Sequence, residues 1–258
     1  TELHTVNYYD GYDATRDGIS LPSGQVLGQD LATNVNGLPT SGRVRVLGTT
    51  DWTTTLTGYD EKGRPIWGRS ENEYLGTVDV SMSELDFTGR VLKQHNEHTK
   101  GTNPVIVTVD SYQYDHVGRL LSHKQDLGGH TETIALNSYD GLGQLENKKV
   151  GNTPTSPLQK VDYDYNIRGW LKGINDTGSM GDDLFAFGIN YNTPSHGGTG
   201  LYNGNIAETE WRSANTDNSQ KWYKYGYDAL NRITSGMDNT IDQRYSLANV
   251  SYDRNGNI

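Results

Sequence analysis

A six-residue pattern, Tyr-Asp, two variable residues, then Gly-Arg, recurs along this chain and constrains its fold more than any other feature. It is clearest at Tyr114-Asp115-His116-Val117-Gly118-Arg119, which follows the alternating run Val105 to Tyr114 and precedes Leu120-Leu121. Alternation with a period of two is the signature of a strand. A short polar segment with Gly where positive φ is cheap reverses the chain. Each copy therefore reads as a β-hairpin.

The pattern is complete at Tyr59, Asp60, Gly63 and Arg64, and Asp86, Gly89 and Arg90 repeat it with Leu85 in the Tyr place. Tyr139, Asp140 and Gly143 end in Gln144, with Gly141 outside the Gly place. Tyr165 and Gly169 flank Asn166 in the Asp place, and Trp170 takes the Arg place. Tyr227, Asp228 and Arg232 carry Asn231 for Gly, and Tyr252, Asp253 and Gly256 form the last copy. The starts at 59, 85, 114, 139, 165, 227 and 252 lie 26, 29, 25, 26, 62 and 25 residues apart, so the long gap has room for one further unit plus a loop. The Asp can accept backbone N–H groups across its turn, and the Arg can pair with that Asp or with the next unit. An exposed pair contributes only about 0–1 kcal/mol, so repetition matters more than one copy.

Composition agrees with a thin sheet. The hydrophobic share is 33%, with 17 Tyr and 31 Gly against three Phe, which argues against a large aliphatic core. Tyr can face a core and keep its hydroxyl wet. Alternating rings at Tyr163 and Tyr165, and at Tyr223, Tyr225 and Tyr227, read as a cross-strand ladder. The net charge of -10 and the scattered basic residues exclude nucleic acid as the expected partner. No apolar run reaches the length of a membrane helix, and the absence of Cys leaves no disulfide framework.

Residues 1–42 fit the repeat poorly and read as an irregular N-terminal or capping segment, whereas 43–258 read as the hairpin array. Asp10, Asp13 and Asp17 lack the spacing and closing Glu of a calcium loop. His95, His98, His116, His123 and His130 would need the fold to gather them before they could hold zinc. No metal or cofactor is expected. Asn203-Gly204 suggests a tight turn in a further hairpin from Tyr202 to Trp211. Glu208 and Glu210 share one strand face, and Ser195-His196 are neighbours without an elbow motif, so neither supports a hydrolase. A repeated polar layout differs from the single convergent set an enzyme needs, and the chain reads as non-enzymatic. Trp52, Trp67, Trp170, Trp211 and Trp222 are the candidates for stacking on a glycan, as an extracellular glycan-binding or adhesion module.

In these motifs the chain resembles the RHS/YD-repeat proteins, most closely their Bacteroidetes branch, over residues 43–258. Further matching stretches are Tyr163-Asp-Tyr-Asn-Ile-Arg-Gly-Trp-Leu171, Asp182-Asp-Leu-Phe185 and Tyr202-Asn-Gly-Asn-Ile206. The resemblance implies an all-β fold in which repeated antiparallel β-hairpins form a curved ribbon or partial spiral shell. It implies a secreted or cell-surface protein whose repeats act as a shell or scaffold around a C-terminal, toxin-like cargo domain. The family's self-cleavage centre has no counterpart in these residues. A chain starting at Thr1 and stopping within a repeat reads as a fragment whose partners are the missing parts of the same chain. Its sheet edges invite edge-mediated dimerisation.

Overall fold

The computed structural model describes residues 3–12, 19–215 and 217–258. Among the described residues sixteen antiparallel strands, β1 to β16, pair in sequence order. The chain separates into two compact units, Thr1–Ala135 and Leu136–Ile258, with the division inside one strand. The first unit holds β1 (Thr5–Tyr9), β2 (Pro39–Arg45), β3 (Trp52–Tyr59), β4 (Pro65–Asn72), β5 (Thr77–Leu85), β6 (Val91–Lys100), β7 (Ile106–Tyr114), β8 (Leu120–Leu127) and the start of β9 (His130–Tyr139). The second continues with β10 (Leu145–Val150), β11 (Gln159–Tyr165), β12 (Leu171–Ile174), β13 (Phe185–Asn190), β14 (Glu208–Ser213), β15 (Lys221–Tyr227) and β16 (Ile233–Asp238).

Every hairpin closed by the repeat ends in the same way. At turn 59–64 the register runs Gly58↔Trp67 and then Tyr59↔Pro65, so Ile66 is an extra residue, a β-bulge beside the turn. The same shift follows turns 85–90, 114–119, 139–144, 165–170 and 227–232. Two further hairpins keep features of this turn although their turns are interrupted, the first of them the register shift itself. Tyr8 pairs Ser41 and Tyr9 pairs Pro39, while Asp10 N–H donates to the Leu38 carbonyl as Asp60 N–H does to that of Arg64. In the second unit Asn190 pairs Glu208, and the Tyr191 hydroxyl donates to the Leu171 carbonyl. Tyr9-Asp10 and Tyr191-Asn192 are therefore repeat starts whose turns have been split by inserted chain. That accounts for the 62-residue gap and for the poor fit of the N-terminal residues.

The first insertion contributes much of the core in its unit. Ile19 and Val26 from the first insertion pack with Leu56, Ile66 and Trp67, and Leu21, Leu27 and Leu31 close the cluster. Gly58 permits this approach, since a Cβ there would lie 2.8 Å from Leu31 Cδ2. Leu85 occupies a Tyr place and packs against this cluster, where an apolar side chain suits the covered face better than a phenol. The side chain of Gln29 donates to the Ser83 carbonyl at 2.7 Å and accepts from Leu85 N–H at 3.1 Å, tying the insertion to β5.

Two expectations need correction. The curved ribbon or partial spiral shell is not found: each unit is an open sheet, neither closed nor strongly curled. Among the described residues each strand contacts only its sequence neighbours, so within a unit no part of the ribbon winds back over another. The expected hairpin from Tyr202 to Trp211 is also absent. The outgoing strand starts at Glu208, and Asn203-Gly204 belongs to the second half of the split turn that joins β13 to β14. Asp13 and Asp17 of the considered calcium loop lie outside the described residues. Asp10 instead accepts the Gly37 N–H at 2.5 Å.

Candidate functional site

The recurring site is the turn itself. Asp60 Oδ1 accepts the N–H groups of Lys62 and Arg64, each at 2.9 Å, and its other oxygen takes the Arg64 guanidinium at 2.7 and 2.6 Å. Asp86, Asp115 and Asp228 repeat this with Arg90, Arg119 and Arg232. Asn166 keeps only the backbone half, accepting from Arg168 and Trp170 N–H, while Asp253 takes the Asn257 side-chain amide in place of a guanidinium. Desolvation alone would raise the Asp115 pKa, but the Arg119 amide and guanidinium outweigh it and pull the carboxyl down to about 2. The Arg232 amide likewise lowers Asp228, against a smaller desolvation effect. These are carboxylates held ionised as acceptors.

The Arg also reaches forward. Arg64 Nη1 donates to the Asp86 carbonyl of the following turn at 3.1 Å and lies over Gly89, where a Cβ would be 3.4 Å away. Arg90 Nη1 lies over Gly118, 2.6 Å from the Cβ position. Other side chains in the Arg place do the same, Leu38 over Gly63, Gln144 over Gly169 and Trp170 over Gly204, whereas Gly256 in the turn after Arg232 has no neighbour within 4 Å. At Gly89 and Gly118 a positive φ and this close approach both favour a residue without a side chain, while Asn231 fills the Gly place of turn 227–232 at φ 63°.

The Tyr reaches backward. The hydroxyls of Tyr59, Tyr114, Tyr191, Tyr227 and Tyr252 donate to the carbonyls of Pro39, Val91, Leu171, Ile206 and Ile233 at 2.6–3.0 Å. Each acceptor is the first residue after the preceding turn. The Arg90 and Arg232 guanidiniums lie 5.3 and 4.4 Å from the ring centres of Tyr114 and Tyr252, adding cation–π attraction. Turns 227–232 and 252–257 are bonded in both directions, Arg232 forward to the Asp253 carbonyl and Tyr252 back, whereas Leu85 leaves turn 85–90 with the forward bond from Arg64 alone.

The second insertion is pinned by the two carboxylates that the sequence places on one face of β14. Glu208 is fully buried and accepts the N–H groups of Ser195, His196 and Gly198. Glu210 accepts from Thr177 Oγ1 at 2.7 Å and Gln220 Nε2 at 2.9 Å, and pairs with His196 Nε2 at 2.6 Å. His196 stacks on Trp222 with ring centres 5.0 Å apart. The network fastens a loop to the sheet: Ser195 meets Glu208 through its backbone amide, and its hydroxyl accepts from Asn190.

The histidines are dispersed. His98 pairs with Asp79 at 2.6 Å, His95 with Glu97 at 2.9 Å, and His123 with Asp110 at 2.7 Å while stacking on Tyr112. Among the described residues no group of three His, Cys, Asp or Glu stands at metal-binding distance. Nor do the tryptophans form one surface. Trp67 is buried in the core, Trp52 lies under Arg43, Trp211 stacks on Tyr223, and Trp222 is covered by His196. This removes the expected glycan-binding face. The enclosing role falls with the shell, because an open sheet surrounds no interior that could house a cargo domain.

Trp170 stands apart. It packs on Tyr191 with ring centres 5.2 Å apart, at the margin of a cleft of about 500 Å³ between turn 165–170 and the split turn that follows. Sequence reasoning names Trp170 but not the cleft, because the insertion that opens it hides the repeat start at Tyr191.

No protein-family model matches the chain, and no curated protein matches it. The resemblance to RHS/YD-repeat proteins rests on the motif residues themselves.

Proposed function

We propose that this chain is a non-catalytic structural module, an open β-ribbon that extends by whole hairpin repeats and carries inserted loops at the turn edge. The observation that supports this most is the two-way bonding of turns 227–232 and 252–257, Arg232 forward to the Asp253 carbonyl at 3.5 Å and the Tyr252 hydroxyl back to the Ile233 carbonyl at 2.6 Å. Arg64 and Gln144 likewise donate to carbonyls of the turns that follow theirs. Length is then additive, as in other repeat arrays, where stability sums over units and their interfaces. The polar groups of the turns are engaged in this bonding, which suits a spacer or platform.

Excision of one repeat tests the proposal. Joining Leu85 directly to Asp115 removes residues 86–114 and leaves a complete Asp-His-Val-Gly-Arg turn after the β5 strand. The shortened chain is expected to fold, with an unchanged β-type circular dichroism spectrum per residue and a cooperative thermal transition. Loss of that transition would show that the repeats are parts of one indivisible core, and would contradict an extendable ribbon.

A further inference from the structure

We infer that the cleft between turn 165–170 and the split turn after it binds a small planar aromatic anion. This is the junction at which the chain departs furthest from its own repeat. Asn166 stands for Asp, Trp170 stands for Arg, and the next turn is opened by inserted residues. Departures from a rule that a sequence otherwise keeps concentrate at functional places.

The chemistry of the walls selects the ligand. Trp170 and Tyr191 present a tilted aromatic pair, and Tyr202, 73% exposed, stands at the rim as a third ring. Burial raises the Tyr191 phenol, and its hydroxyl is committed to the Leu171 carbonyl, so this ring offers an uncharged face. Arg168 and Lys172 line the same cleft, and no carboxylate does, although the whole chain carries a net charge of -10. Arg168 is held in place by a 3.1 Å bond to the Tyr202 carbonyl, with its guanidinium 5.1 Å from the Trp170 ring centre. Lys172 has an exposed pairing with Asp164 at 3.2 Å, the kind of contact that contributes little and exchanges readily. Flat apolar walls with two cations at one site suit an aryl carboxylate or sulfonate: the ring stacks and the anionic group meets the guanidinium and ammonium. A neutral ring would gain only the stacking.

Naphthalene-2-sulfonate is the probe, titrated into the 258-residue chain by calorimetry and followed by ligand-observed NMR, with 2-naphthylmethanol as the uncharged counterpart. One saturable site is expected, with Kd about 1 mM or tighter, weakened about tenfold or more for the alcohol and for the Arg168→Gln/Lys172→Gln variant. Tyr202→Ala changes an exposed rim position and is expected to weaken binding while leaving the thermal transition in place. Absence of saturation, equal affinity for the alcohol, or affinity unchanged by either variant would overturn the inference. Repeat excision elsewhere in the chain does not touch this cleft, so the two tests fail independently.

Discussion

Within one repeat, the Gly and Asp places carry the most specific demands. Gly118 has φ +91°, and a Cβ there would stand 2.6 Å from Arg90 Nη1. Gly118→Ala is expected to cost about 1–3 kcal/mol in a denaturant titration. Gly141, in the same kind of turn but with neither a left-handed φ nor a close neighbour, is the control: Gly141→Ala should stay within about 0.5 kcal/mol of the parent. Tyr114→Phe removes the bond to the Val91 carbonyl and should cost about 0.5–1.5 kcal/mol. The Asp place makes a pH statement. Because the folded chain lowers Asp115 to about 2, below the ordinary value near ~3.9, the unfolded chain takes up the proton first. The stabilisation from this carboxylate is complete above pH ~4 and is lost as pH falls toward 2. Wild type should therefore melt above Asp115→Asn at pH 6, with the difference closing by pH 2. The residue types of the turn, and the pairing of Asp with Arg, are legible in the sequence. That the Arg of one turn lies over the Gly of the next is not, because it depends on how two hairpins stand side by side.

Hairpins built from these residues share one bulge and one turn, and differ in what is inserted. The alternation of apolar and polar residues locates strands such as β7 and β11 well, since a strand shows its period wherever one face is more covered than the other. The two split turns are hidden because the motif is recognised by contiguity, and the residues completing Tyr9-Asp10 and Tyr191-Asn192 arrive only after inserted chain. What marks the first is register, Tyr8↔Ser41 followed by Tyr9↔Pro39, and what marks the second is the backward bond of the Tyr191 hydroxyl to the Leu171 carbonyl. The first insertion contributes much of the apolar packing in its unit, so its removal should be felt under it. Leu56 is 2% exposed beneath this segment, and Leu56→Ala should cost about 2–5 kcal/mol by calorimetric or denaturant unfolding. Changing Leu142, 83% exposed at a turn tip, to Ala should cost less than about 0.5 kcal/mol.

For the molecule as a whole, the all-β array of antiparallel hairpins is legible, and the curvature is not. Alternation and turn spacing specify which strands are neighbours, whereas winding depends on the small twist added per repeat, which side-chain packing on the two faces decides. In the open sheet of each unit, strand contacts run only between sequence neighbours among the described residues, and the two-way bonding of turns adds a link to the backbone ladders, such as β4–β5 and β6–β7, that join one hairpin to the next. A double-mutant cycle between Arg90→Met and Tyr114→Leu measures that link, since the two residues belong to successive turns and stand 5.3 Å apart, guanidinium to ring. A coupling of about 0.5 kcal/mol or more is expected for this pair, with additivity within about 0.3–0.5 kcal/mol for Arg90→Met combined with Tyr227→Leu, which lies in the other unit. Additivity for both pairs would contradict the interlocked ribbon.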